Sequence, residues 1–195
     1  MVIQRSELKS LAKAQIKGNI ATFFGIIVIY SVIFAVAAFI PVAPVVLQGP
    51  IYLGAALFMM EVVRTKKGQF NTAFLGFKQF GTSFVASLLM DIFTFLWTLL
   101  FIIPGFVACL KYSMTYYIIA DNPKLSAMEA IKKSKMMMQG HKTELFVLLL
   151  SFFWWYVLCF ITFGIAGIYV APYVNATVVN FYEKLKVEEN TVILN

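Results

Sequence analysis

Residues 18–60 read GNIATFFGIIVIYSVIFAVAAFIPVAPVVLQGPIYLGAALFMM, and this stretch contains no Asp, Glu, Lys or Arg. A hydrocarbon core about 30 Å thick is crossed by roughly 20 apolar residues. A block twice that long, with Pro41, Pro44 and Gly49-Pro50 in its middle, therefore reads as a helical hairpin. Residues 145–182 form a second charge-free block, and residues 79–120 a third, interrupted only by Asp91 and Lys111. The whole chain is 61% hydrophobic and 13% charged. A soluble domain is about 45–50% apolar and about 25% charged, so this excess cannot be hidden from water by a soluble fold.

Six crossings follow, at about residues 20–40, 50–63, 82–103, 106–120, 144–162 and 164–182. Pro104-Gly105 divides the third from the fourth, Asp121-Asn122-Pro123 ends the fourth, and Pro172 is expected to kink the sixth. The second is short for a bilayer. Either it begins at Pro44 or it is partly re-entrant, and whether the second and fourth cross fully stays open at this level.

Cytoplasmic loops collect Lys and Arg. The first eighteen residues hold four such cations, residues 64–78 four and residues 124–142 five, whereas the intervening turns hold none. Lys184 and Lys186 place the C-terminus on the same side. The expectation is a multi-pass protein of the cell membrane with both termini cytoplasmic. Arg5, Lys9, Lys13 and Lys17 precede an apolar run containing Ala35-Val36-Ala37, which resembles a signal-peptidase site. The run continues to Ile40, so retention as a crossing is expected.

Each hairpin follows a polar, amphipathic stretch. In the first, Lys9, Lys13 and Lys17 form one stripe and Leu8, Leu11 and Ala12 another. In the second, Phe70, Ala73, Phe74 and Phe77 fall at i, i+3, i+4 and i+7, the face of an interfacial helix. The third opens on a capping box from Ser126 to Glu129. With Gly18, Gly81 and Gly140 each just ahead of a crossing, the pattern is an internal repeat of about residues 1–64, 65–123 and 124–186. These make one integral-membrane domain, 1–186, followed by a tail, 187–195. The expected fold class is all-α: a polytopic membrane protein of about six transmembrane helices in three hairpins, each preceded by an amphipathic interfacial helix. Repeats of two helices all enter from one side, which argues against the inverted symmetry of alternating-access transporters.

The formal charge is +7, but the cations sit at the expected membrane edges and not on one face or tail with aromatic interleaving. Nucleic acid is thereby excluded as a partner, and anionic phospholipids are implied. Cys109 and Cys159, without CxxC or metal-ligand spacing, read as small core residues. No cofactor or metal is implied.

Asp91 is the most informative residue, because an ionisable group inside an apolar crossing is a functional candidate. It either pairs with Lys111 on the adjacent helix or serves as an ion, proton or substrate site. Counting from the Pro104 turn separates the two by roughly 9 Å in depth at 1.5 Å per residue. His141, Lys142 and Glu144 form a second cluster, suited to a lipid headgroup. Glu61 and Arg64, one turn apart, read as an ion pair at the inner end of the second helix. Trp97, Trp154, Trp155, Tyr116 and Tyr117 read as interface anchors or packing residues. There is no GxSxG, P-loop, HExxH or dinucleotide fingerprint.

Gly49-Pro50-Ile51-Tyr52-Leu53-Gly54, Gly140-His141-Lys142-Thr143-Glu144-Leu145-Phe146 and Ala171-Pro172-Tyr173, with Phe181-Tyr182-Glu183 after it, carry a resemblance. Over about residues 5–186 the chain resembles the bacterial integral-membrane family known as domain of unknown function 975. That family is similar to the membrane domain attached to some glycerophosphodiester phosphodiesterases. The resemblance implies a fold and a location without an activity. The phosphodiesterase itself would be a separate soluble barrel, whose carboxylates and histidines this chain lacks. Three function classes stay open. The first is a non-enzymatic module binding a membrane-protein partner, a second copy of itself or lipid in the cell envelope. The second is a small transporter or channel subunit with Asp91 in the pathway, and the third a lipid-acting enzyme using His141 and Glu144.

Overall fold

The computed structural model describes residues 4–100 and 102–193. Its helices run in the order α1 (Arg5–Gln15), α2 (Ile20–Ala37), α3 (Ala43–Thr65), a 3-10 helix (Phe70–Gln79), α4 (Phe80–Leu100), α5 (Ile102–Tyr112), α6 (Thr115–Asp121), α7 (Ala127–Met137), α8 (Lys142–Leu150), α9 (Phe153–Ile161) and α10 (Gly167–Ile193). The protein is all-α, with no strand among the described residues. Of the expected third crossing, Phe101 lies outside the described residues, as do residues 1–3 of the expected domain and 194–195 of the expected tail.

Four segments are long and apolar enough to cross a membrane: Ile20–Ala37, Ala43–Thr65, Phe70–Leu99 and Lys142–Ile161. The second of these, short on the sequence pattern, is a helix of 23 residues with proline in its first turn. At 1.5 Å per residue it is about 35 Å long. Pro50 lies inside it. The expected fourth crossing is broken instead into α5 and α6. Ser134 of α7 bridges the break, donating through Oγ to the Lys111 carbonyl at 2.8 Å and accepting from the Met114 N–H at 3.2 Å. The expected sixth crossing is the start of α10, which continues through Pro172 and through residues 187–193, expected as a separate tail.

Residues 70–79 form a 3-10 helix where an α-helical face was expected. The cause lies in its neighbour. A Cβ on Gly54 of α3 would stand 1.8 Å from the Ala73 carbonyl oxygen, and one on Gly76 would stand 2.1 Å from the Pro50 carbonyl oxygen. Two backbones meet here, and the three-residue period sets Ala73 and Gly76 on one buried edge. Tyr30 of α2 donates its hydroxyl to the same Ala73 carbonyl. The segment therefore packs along α3.

In α1 the buried stripe is Leu8, Ala12 and Gln15, continued by Ile16 just past its end and set against α10. Leu11, expected on that stripe, is exposed, because positions 8, 12, 15 and 16 close one helical face and position 11 lies beside it. The expected capping box at α7 forms, Ser126 N–H donating to Glu129 at 2.8 Å and Glu129 N–H to Ser126 Oγ at 3.4 Å. Gly18 and Gly140 adopt φ of +90° and +91° immediately before a helix, a conformation open to glycine. Gly81, the third landmark, is already inside α4.

The core gathers around α1, α3, α6 and α10, with Leu8, Leu53, Phe58, Ile118, Phe181 and Tyr182 fully buried. At the three expected outer turns the apolar side chains are bare: Phe39 is 90% exposed, Ile103 77% and Phe163 98%. Water would disfavour that surface, and a hydrocarbon phase would not.

Candidate functional site

Charged side chains of three helices meet at one end of the protein, where α3 and α6 terminate and α10 turns polar. Arg64, in the last turn of α3, donates from Nε and Nη2 to Glu183 Oε1 at 2.8 and 2.6 Å. The same Nη2 stands 2.7 Å from Asp121 Oδ1. Lys186 Nζ and the Tyr182 hydroxyl, both on α10, donate to Asp121 Oδ2 at 2.6 and 2.9 Å. Burial by itself would raise the Asp121 carboxyl. The hydrogen bonds from Lys186, Arg64 and Tyr182 outweigh it and hold the group below the ordinary aspartate range.

The expected Glu61–Arg64 pair is replaced by this network. Glu61 accepts the Gln69 N–H at 2.9 Å, while the Arg64 fork reaches two carboxylates on other helices. A guanidinium satisfies more acceptors in that geometry than it could from one neighbour on its own helix. Nearby, Gln15 also donates to the Val63 carbonyl at 3.1 Å. The Asn19 amide bridges the Lys66 carbonyl and the Gly68 N–H, each at 2.9 Å, so the entry to α2 is fixed to the exit of α3. Gln15 and Asn180 were not singled out from sequence, Lys186 entered only as a topology cation and Glu183 only within a family motif. Asp121 was visible there only as part of a turn signal.

His141 lies against two carboxylates, with Nδ1 2.9 Å from Glu144 Oε2 and Nε2 3.7 Å from Glu188 Oε2. Glu188 comes from α10, an association that spacing along the chain could not reveal. No group of three or more His, Cys, Asp or Glu side chains suited to a metal ion occurs among the described residues.

Asp91 accepts a hydrogen bond from the Gln48 amide of α3. The Lys111 ammonium, considered as its partner, stands instead 5.1 Å from the centroid of the Trp97 ring. Lys111 joins Lys142 at a pocket of about 310 Å³, completed by Lys132, Lys135, Met136 and Gln139. Two lysines from separate candidate clusters thus share one cavity. Cys109 is exposed and not in the core, and both thiols are free. Trp155 packs 6.0 and 5.9 Å from Tyr169 and Tyr173, whereas Trp154 is bare.

Fold and site together define an all-α chain with several helices able to span a membrane, braced at one end by a charged network. The profile of a family described as a protein of unknown function, DUF975, matches residues 1–110 and 99–189, and the chain belongs to that family. No curated protein matches the chain, and no solved structure does.

Proposed function

We propose that the chain is a multi-pass module of the cell membrane, three hairpins with both ends cytoplasmic, that works without catalysis by holding a partner protein or a lipid. The observation that carries this reading is the placement of Arg64, Asp121 and Glu183. Each stands at the end of the second helix of its expected hairpin, so one ionic network joins all three repeats on the side where the cationic loops gather. A chain whose polar groups chiefly satisfy one another suits a scaffold, and its bare apolar turns suit insertion in lipid.

The test is gentle purification from native membranes, with co-purifying proteins and lipids identified and counted. A protein or lipid at fixed stoichiometry is the expected result. A chain recovered alone, in lipid of bulk composition, would overturn the proposal.

A second reading, transport, is favoured by one observation: Asp91 keeps its carboxylate on an exposed face of α4, beside the Gln48 amide. Selective solute flux through the reconstituted protein would move the assignment to that class.

A further inference from the structure

We infer that Lys111, Lys132, Lys135, Gln139 and Lys142 form a binding site for the phosphate of an anionic glycerophospholipid headgroup. The four lysines come from three helices: Lys111 from α5, Lys132 and Lys135 from α7, and Lys142 from the first position of α8. They line one pocket of about 310 Å³ with no carboxylate among its lining residues. The nearby acids are engaged elsewhere. Glu129 feels the charge of Lys132 but is bonded to Ser126, Glu144 is bonded to His141, and Glu189 stands 4.0 Å from Lys133. Four cations facing one cavity repel one another, and an anion with several acceptor oxygens relieves that repulsion. The Gln139 amide supplies a further donor.

The surroundings favour a lipid over free phosphate as the source. Lys111 extends from an apolar helix beside the Trp97 ring, and bare Met136 lines the same pocket. The cationic cavity thus opens where hydrocarbon-facing surface gives way to polar surface, the level of a headgroup. Of the three residues read from sequence as suited to a headgroup, Lys142 belongs to this cavity, while His141 and Glu144 are paired with each other.

This inference rests on the reading that the helices lie in a membrane. The full chain in detergent is titrated with phosphatidylglycerol, and retained lipid is counted by native mass spectrometry against phosphatidylcholine. Selective retention of phosphatidylglycerol is expected. Lys132→Gln with Lys135→Gln should weaken it about 30-fold, at about 1 kcal/mol per lysine. Lys67→Gln with Lys124→Gln, equal in charge, should leave it within about twofold. The Lys132→Arg, Lys135→Arg chain should retain binding. Should the glutamine pair not stay monodisperse, Lys142→Gln gives the same reading. Equal weakening in both glutamine pairs would overturn the site in favour of generic charge. Displacement of the lipid by equimolar inorganic phosphate would overturn the lipid as its source. Release of the chain from membranes at alkaline pH would instead remove the membrane reading itself.

Discussion

Gln15 and Asn180 stand 165 residues apart and exchange their side-chain amides, Gln15 Nε2 donating to Asn180 Oδ1 at 3.1 Å and Asn180 Nδ2 to Gln15 Oε1 at 2.7 Å. Both are buried, so α1 is held to α10 by a polar bond within the packed contact, in addition to the exposed Glu7–Lys184 ion pair. Replacing either residue by Leu leaves a buried amide without its partner and should cost about 1–3 kcal/mol. Replacing both should cost clearly less than the two single changes added together. A double-mutant cycle on thermal stability in detergent reads the difference. Strict additivity would show that the pair contributes nothing specific.

Asp121 joins α6 to α3 and α10. Its side chain is 12% exposed and that of Arg64 40%, so the loss on Asp121→Asn should be smaller than for a dry pair, about 2 kcal/mol. Because the folded-state carboxyl is held below its ordinary value, its stabilisation is complete above about pH 4 and declines as pH falls through the folded-state value. Melting temperature plotted against pH should therefore fall on the acid side in the parent and fall less in Asp121→Asn. Identical slopes would exclude Asp121 as the source.

The glycines separate cleanly. Gly54→Ala would drive a methyl group into the Ala73 carbonyl oxygen, and neither backbone can yield, so a loss of at least about 3 kcal/mol is expected. A Cβ on Gly81, in the first turn of α4, meets nothing within 4 Å. Gly81→Ala should stabilise the protein by about 0.5–1 kcal/mol by lowering the entropy of the unfolded chain. Melting measurements on the two variants check both signs.

Asp91→Asn keeps an oxygen that accepts from Gln48, so fold and stability should change little. In proteoliposomes the variant should behave as the parent in every flux measurement. Flux present in the parent and abolished in the variant would assign Asp91 to a transport pathway.

Orientation is read by cysteine labelling in a chain carrying Cys109→Ala and Cys159→Ala. Lys66→Cys and Lys133→Cys should react with an impermeant reagent only after the cytoplasmic side is opened. Reaction from outside in intact cells would reverse the topology.

Charge-free runs such as residues 18–60 determined the helical class and the apolar segments, since in hydrocarbon a backbone without water must bond within its own helix. The capping box at Ser126 was likewise readable, because its donors and acceptors lie within one turn. What the tertiary structure decided is partnership. Arg64 takes Asp121 and Glu183 over Glu61, Asp91 takes Gln48, and four lysines from three helices meet at one cavity. Residues 70–79 narrow to a 3-10 helix because Gly54 and Gly76 allow two backbones to touch. Periodicity is a local property, set by the rise and turn of a single helix. The distances that choose a partner depend on how separate helices lie against one another, and no spacing along the chain encodes that directly.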